Sequence, residues 1–267
     1  MPSGVPSSGM SVIDSIHPLG VGLIVIALLS IVIEVGYQIG KRIRRDEGMS
    51  NHPIEASVTT AVLGLMAFML GFSFATSASR SAERRKLLLT DANLASTLYL
   101  RADFLLPDQV EPARNLIREY VRLRASVDQM RSVNELGPVV KRSAEIQNEL
   151  WEIAVRARGE SSSVAVNLFV TCVNDLIDTD VSRQTLAIVN RFPPILWCTL
   201  GFLGGLSSTM LGISSGLHGR RSRLASSALI VAVSAVAVLI IDLDRPFRSL
   251  MKDDGGIMTR TLESMEP

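Results

Sequence analysis

Four apolar stretches constrain the fold of this chain more than any other feature. They cover residues 19–39, 57–79, 194–217 and 224–241. At a rise of ~1.5 Å per residue, a helix of this length crosses the ~30 Å hydrocarbon layer of a bilayer. Basic runs at 41–45 and 220–223 border them. The stretches predict a polytopic membrane protein with four transmembrane helices.

The composition excludes several other classes. Hydrophobic residues make up 47% of the 267 residues, and the net charge is +1, so no global field favours nucleic acid as a partner. The first 20 residues contain no Lys or Arg, so the basic region of a cleavable signal peptide is missing. We therefore expect a retained first span and a multi-pass protein of the cell (inner) membrane, surrounded by lipid bilayer.

The region between the second and third spans has the character of a folded aqueous domain. Residues 80–192 contain 16 Lys and Arg against 15 Asp and Glu, and no alternating strand pattern appears. We predict an all-α fold in which a helical bundle is inserted between transmembrane helices 2 and 3. The expected divisions are an N-terminal segment 1–18, helices 1 and 2 in 19–79, the bundle in 80–192, helices 3 and 4 in 193–243, and a tail 244–267.

Helical periodicity continues from the second span into the bundle. Leu87, Leu94 and Leu98 extend the apolar period without a break before Pro107, which predicts one rod of about 49 residues, ~70 Å long. Ser161 to Ser163 offer N-cap residues for a later helix. We expect little fixed structure in the tail after Pro246. The orientation stays open, since basic residues flank the spans on both sides.

The second span has two contrasting helical faces. Small residues that include Gly64 and Gly71 form one, and suit close helix packing. The other face grades from apolar residues through hydroxyls to guanidinium groups: Met66, Met69, Ser73, Ser77, Arg80 and Arg84. Around an oligomer axis, this stripe would form a hydrophobic constriction that opens into an anion-attracting vestibule. Ordinary helix packing, with the arginines as interfacial anchors, is the alternative interpretation.

Two further groups are candidates. Gly204, Ser208 and Gly212 lie on one side of the third span, where they predict a close-packing surface, either for the second span or for another subunit. Charges at the membrane boundary are candidates for ion handling or for local ion pairing: Glu34, Asp242, Asp244 and Arg245. We find no spacing typical of a metal site, no cofactor motif and no catalytic constellation, so we expect no enzyme.

Several motifs in order resemble one family. They are Leu70 to Phe74, Ala78 to Arg80, Asp91 to Asn93, Tyr99 to Asp103, Pro193 to Trp197 and Leu243 to Phe247. Together they resemble the bacterial bestrophin-like membrane proteins, a domain of unknown function distantly similar to bestrophins. The resemblance spans about residues 20–250. Arg248 and Ser249 depart from it, because they stand where the family has a small residue followed by glycine.

The resemblance implies a function. Bestrophins are pentameric anion channels whose second span lines the pore and whose bundle lies in the cytoplasm. By that analogy the chain is a bacterial homo-oligomer, a pentamer, with inorganic anions as the transported species. The acidic calcium clasp of animal bestrophins has no counterpart, so calcium gating is not implied.

Two functional hypotheses follow. The first is an oligomeric, anion-preferring ion channel with transmembrane helix 2 around a central pore. The alternative is a non-conducting membrane scaffold or sensor whose bundle binds a partner protein, which the size of the bundle favours.

Overall fold

The computed structural model describes residues 18–47, 53–127, 130, 136–161, 163–186, 193–219, 223–244 and 256–266. The described part of the chain is helical and contains no strand, which confirms the predicted all-α class. Its helices are α1 Pro18–Glu47, α2 Pro53–Arg101, α3 Pro107–Val127, α4 Leu136–Glu160, α5 Val164–Gln184, α6 Pro194–His218, α7 Arg223–Asp244 and α8 Ile257–Glu263. A 3-10 turn, Ala102–Phe104, follows α2.

Four of these helices are long and apolar enough to cross a bilayer: α1, α2, α6 and α7. The chain divides into two units that α2 joins. The first, which we call the membrane unit, contains α1, α2 as far as Arg80, α6 and α7. The second, the bundle, contains the rest of α2 together with α3, α4, α5 and α8.

Helix α2 is one continuous element of 49 residues, as the apolar period predicted. At ~1.5 Å per residue it is ~70 Å long, more than twice the hydrocarbon thickness. No proline interrupts it after Pro53, and good helix formers such as Leu87 to Leu89 continue it into the bundle. It ends shortly before Pro107, where the chain turns into α3.

In the membrane unit, α1 packs closely against α6 through glycines. Gly36 and Gly40 of α1 face Gly212 and Gly216 of α6. A Cβ atom at Gly212 would lie 2.9 Å from the Tyr37 nitrogen and 3.0 Å from the Gly36 Cα. The helices therefore touch backbone to backbone, as small residues four apart allow in membranes. On another side of α1, a Cβ atom at Gly22 would lie 2.7 Å from Val238 Cγ2 of α7.

The bundle has its own apolar core, to which each of its helices contributes fully buried side chains. They include Ala95 and Leu98 of α2, Ile117 and Val121 of α3, Ile146 and Leu150 of α4, and Phe169, Val173 and Leu176 of α5. Helix α5 begins as predicted at a serine cap, because the Ser163 hydroxyl accepts a hydrogen bond of 3.2 Å from the Val166 N–H. Gly137 and Pro138 open α4, where a proline in the first turn is tolerated.

The expectation of a loosely ordered tail is wrong for residues 256–266. This segment forms α8 and contributes Met258 and Met265 to the bundle core, with 0% and 3% of their surfaces exposed. The rest of the bundle also binds the Met265 carbonyl just after α8, since Tyr99 Oη and Arg118 Nε donate to it at 3.1 and 3.3 Å. Its four apolar core residues, Ile257, Met258, Leu262 and Met265, are a weak sequence signal, because a seven-residue helix is too short to show a repeating apolar period.

Candidate functional site

Half of the stripe that was predicted to line a pore is buried inside the chain, namely Met66, Ser73 and Ser77. Ser73 and Ser77 have no exposed surface and Met66 is 5% exposed, while Met69 is half-buried. A side chain without exposed surface in one subunit cannot also face a path between subunits. Among the described residues, the Ser73 and Ser77 hydroxyls have no hydrogen-bond partner. The burial of these residues therefore moves the candidate pore surface to another face of α2.

The opposite side of α2 is open. We call it the open face, and it comprises Ala61, Gly64, Phe68, Gly71, Phe72, Ala75 and Ser79. Phe68 and Phe72 are 67% and 51% exposed. A Cβ atom at Gly64 or Gly71 would meet nothing within 4 Å, so these glycines do not pack against another described residue. At ~100° per residue, this face lies roughly 180° from Ser73 and Ser77.

From Arg80 onward, charged side chains lie on both the buried side and the open side of α2. Arg80 and Arg84 lie on the buried side and are half-buried, and each interacts with another group. Lys86 lies in line with Phe68 and Ala75 on the open side by helical register. Its side chain is 73% exposed, and its ammonium group lies 3.9 Å from Glu83, which is an exposed pair of little energetic weight.

The close-packing surface of the third span has α1 as its partner. A Cβ atom added at Gly204 would lie 3.8 Å from Leu29 Cδ2 of α1. One added at Gly212 would meet the Gly36 backbone. Ser208 is 5% exposed. The predicted partner was α2 or another subunit, whereas the contact is with Gly36 and Gly40 of α1. The four-residue spacing of Gly36 and Gly40 matches that of Gly212 and Gly216, and this match was the sequence signal for the contact between α1 and α6.

The charged residues predicted at the membrane boundary differ in how deeply they are buried. Asp242 is 1% exposed, whereas Glu34 and Asp244 are half-buried. Each of the three interacts with another group. Arg245 lies outside the described residues. Among the described side chains, no group of three or more His, Cys, Asp or Glu is placed to hold a metal ion.

The bundle contains a buried charge cluster that the sequence analysis missed. Its centre is Asp91 of α2, which has no exposed surface. The Tyr120 hydroxyl donates to Asp91 Oδ1 at 2.8 Å, and Arg183 donates to Asp91 Oδ2. Arg124 Nε lies 3.8 Å from the same oxygen. Because burial of an unpaired carboxylate is costly, these partners offset the burial of Asp91 in the core.

A second carboxylate completes the cluster. Asp180 of α5 is 2% exposed and forms an ion pair with Arg124. Gln147 and Gln184 donate to Asp180 Oδ2 at 2.8 and 3.0 Å. Arg124 thus bridges both carboxylates, and two aspartates balance two arginines. We call Asp91, Tyr120, Arg124, Asp180 and Arg183 the buried charge cluster.

The environment of Tyr120 keeps its proton in place. Burial raises the pKa of Tyr120 to about 12, although the nearby Arg124 opposes that shift. The Arg124 guanidinium also lies over the Tyr120 ring, 5.0 Å from its centroid. The phenol is therefore protonated at neutral pH and can donate to Asp91 throughout that range.

A sequence signal for this cluster existed. Asp91 lies between Leu87 and Leu94 in the apolar period of α2, and Asp180 follows Val173 and Leu176 on the core side of α5. A carboxylate at a core position of an amphipathic helix indicates that it has a buried partner. The apolar period alone does not show which residue that partner is.

Comparison with known proteins identifies the family of this chain. The Bestrophin-like domain model matches residues 23–252. The chain belongs to the Bestrophin-like family. Membership covers all four apolar helices and the bundle between them, as expected for a membrane protein of this class. No curated protein matches the chain.

Solved structures share the fold of this Bestrophin-like chain. One is a bacterial Bestrophin homolog from Klebsiella pneumoniae, with 18% sequence identity and a TM-score of 0.66; the match covers 92% of this chain and 98% of that chain. A point variant of the Klebsiella pneumoniae homolog gives 18% identity and a TM-score of 0.65, with 91% and 97% covered. At this identity the likeness establishes the fold alone.

Proposed function

We propose that the protein is an oligomeric, anion-preferring ion channel in which α2 lines a central pore through its open face. It resides in the cell (inner) membrane and crosses it four times. Copies of the chain, five by analogy with bestrophins, surround the pore. The observation that carries this proposal is the exposure of Phe68 and Phe72 on the side of α2 opposite the buried Ser73 and Ser77.

The composition of the open face supports a narrow path. Gly64 and Gly71 leave space beside the exposed rings of Phe68 and Phe72. Rings of such side chains around an axis would form a hydrophobic constriction, which can gate conduction by dewetting. Contact with lipid is the competing explanation for exposed phenylalanines, and the experiment below separates the two.

Charge beyond the constriction supports anion preference. Lys86 continues the open face into the bundle part of α2, with 73% of its side chain exposed. A ring of ammonium groups at a pore mouth raises the local anion concentration, and the Glu83 carboxylate 3.9 Å from each ammonium offsets part of this effect. Arg80 and Arg84, which were predicted to have this role, are half-buried and lie toward the buried side of α2.

Paired cysteine variants test the pore. In proteoliposomes of the full chain lacking the exposed Cys198, Ser79→Cys is compared with Ser77→Cys. A charged methanethiosulfonate reagent should block current through Ser79→Cys and leave Ser77→Cys unaffected, because only the first lies on the open face. Both changes replace serine by cysteine two residues apart, so general effects of the substitution cancel.

The outcomes are distinct. Current that is blocked at position 79 and preserved at 77 supports the pore. Conductance without block at 79 would remove the open face from the path. Absence of any conductance above that of empty liposomes, over a range of voltages and pH, would reject the channel and favour a scaffold.

A further inference from the structure

One side of α1 carries exposed apolar side chains over about four turns. We call it the apolar stripe of α1, and it comprises Ile24, Leu28, Ile31, Val35 and Ile39, which are 41% to 61% exposed. Their spacing of three or four residues places them on one face of the helix. Gly36 and Gly40, which pack against α6, lie on a different side. The membrane unit therefore leaves the apolar stripe uncovered.

The apolar stripe ends in cationic side chains. Arg42 follows Val35 by seven residues and Ile39 by three, so it continues the same face of α1. Gln38 lies one turn before Arg42, and Arg45 lies nearly one turn after it. All three polar side chains are exposed. Among the described side chains, no hydrogen bond or ion pair joins either guanidinium to another group of the protein.

The neighbouring Arg44 has a different environment. It is half-buried, and its guanidinium lies against Gly219, the left-handed residue that ends α6. A Cβ atom at Gly219 would lie 3.1 Å from Arg44 Cζ. A cation beside the last carbonyls of a helix is favourable, so Arg44 contributes to the packing of α1 against α6. It points away from the side that carries Arg42.

The dimensions of this face match those of a phospholipid. The hydrocarbon of one leaflet is ~15 Å thick, which corresponds to about ten residues of helix. Measured back from Arg42, that length covers Ile39, Val35 and Ile31. A glycerophospholipid has the same arrangement, with a phosphate at one end and apolar chains along the rest. Residues 41–47 contain four basic and two acidic residues, so this end of α1 has an excess of positive charge.

We propose that Gln38, Arg42 and Arg45 bind the headgroup of an anionic glycerophospholipid whose acyl chains lie along the apolar stripe of α1. Guanidinium groups pair with phosphate oxygens through two parallel hydrogen bonds, and the Gln38 amide can donate a further one. A zwitterionic lipid covers the same stripe, but its cationic group is repelled by the two arginines. The site lies within the membrane unit and does not depend on conduction by the protein.

Native mass spectrometry of the detergent-solubilised full chain tests the site, because it counts the lipids that each particle retains. The protein is equilibrated with equal amounts of phosphatidylglycerol and phosphatidylcholine that have the same acyl chains. Arg42→Gln is compared with Arg44→Gln, which removes the same charge two residues away. A double variant, Arg42→Gln with Arg45→Gln, removes both exposed cations.

The natural protein should retain phosphatidylglycerol in preference to phosphatidylcholine. Arg42→Gln should lower this preference about 5-fold and the double variant roughly 30-fold, since each cation near a membrane surface contributes a similar amount. Arg44→Gln should keep the preference and lower the melting temperature. Absence of a preference in the natural protein, or an equal loss in Arg42→Gln and Arg44→Gln, would overturn the proposal.

Two further outcomes identify a different occupant. Inorganic phosphate in tenfold excess should displace little phosphatidylglycerol, because it cannot contact the apolar stripe; full displacement would assign the site to a free anion. The same spectra report the number of subunits in each particle. A changed number in the double variant, with lipid retention unaltered, would mean that a second copy of the chain covers this face.

Arg42→Lys keeps the protein testable if the glutamine variants do not fold. It retains the charge and loses the paired hydrogen bonds of the guanidinium. The preference for phosphatidylglycerol should then fall by less than the 5-fold expected for Arg42→Gln. A loss in Arg42→Lys as large as that expected for removal of the charge would contradict an electrostatic headgroup site.

Discussion

Gly36 of α1 and Gly212 of α6 face each other with no room for a side chain at either position. A Cβ atom on Gly212 would lie 3.0 Å from the Gly36 Cα, and one on Gly36 would lie 3.2 Å from the Gly212 Cα. Both contacts are with backbone, which cannot move aside as a flexible side chain can. The pair fixes the distance between α1 and α6.

Gly212→Ala should therefore destabilise the membrane unit by about 1 to 3 kcal/mol, the usual cost of overpacking. Thermal unfolding in detergent measures the loss. Gly205→Ala on the same helix is the matched control, because an added Cβ atom there meets nothing within 4 Å. Equal melting temperatures for the two variants would contradict the backbone contact.

Alkaline pH should weaken the bundle through Tyr120. The folded protein raises its pKa from 10.0 to about 12, so the folded state holds the proton more tightly than the unfolded state. The corresponding stability is fully present below pH 10 and is lost as the pH rises through 12, roughly 2 to 3 kcal/mol in all. Chemical unfolding between pH 9 and 12 measures this slope.

Tyr120→Phe provides the comparison for that titration. It should be less stable than the natural protein at neutral pH, because Asp91 loses a hydrogen bond. The difference between the two should shrink toward pH 12. A constant difference over that range would show that Tyr120 does not titrate as its burial indicates.

Docking of α8 should depend on Met258. Met258→Ala leaves a cavity in the bundle core and should cost about 2 to 5 kcal/mol of local stability. Tryptic cleavage at the exposed Arg260 should then accelerate, since the protease requires an unfolded segment. Thr259→Ala, at an exposed neighbouring position, should leave the cleavage rate unchanged.

Anion preference should depend on Lys86 more than on Arg85. Lys86→Glu and Arg85→Glu change the net charge equally, but the two positions differ by ~100° around α2. Only Lys86 continues the open face, so its substitution should shift the reversal potential in a salt gradient toward that of cations. Equal shifts would mean that general surface charge, rather than the pore mouth, sets the preference.

The sequence predicted the helices well because their signals are local. Length and apolar content define the spans, and the unbroken period from Leu87 to Leu98 defines the long rod of α2. The Ser163 cap is equally local. Each of these features depends on neighbouring residues, which a single sequence displays directly.

Faces and partners could not be predicted in the same way. The polar side of α2 was expected to meet water, yet Ser73 and Ser77 are buried. In a membrane protein, polar side chains can turn inward while apolar ones face lipid or a narrow path, so polarity does not indicate which side is open. Periodicity cannot show which helix packs against Gly212 or which cationic side chains pair with Asp91, because both contacts join residues far apart in the sequence.

The continuity of α2 also constrains how the length of this chain can vary. Adding one residue between Phe72 and Asp91 would turn the two ends of the helix ~100° out of phase, whereas adding seven would restore the phase to within ~20°. Within α2, any length change other than a whole heptad therefore rotates every residue on one side of the change relative to those on the other side.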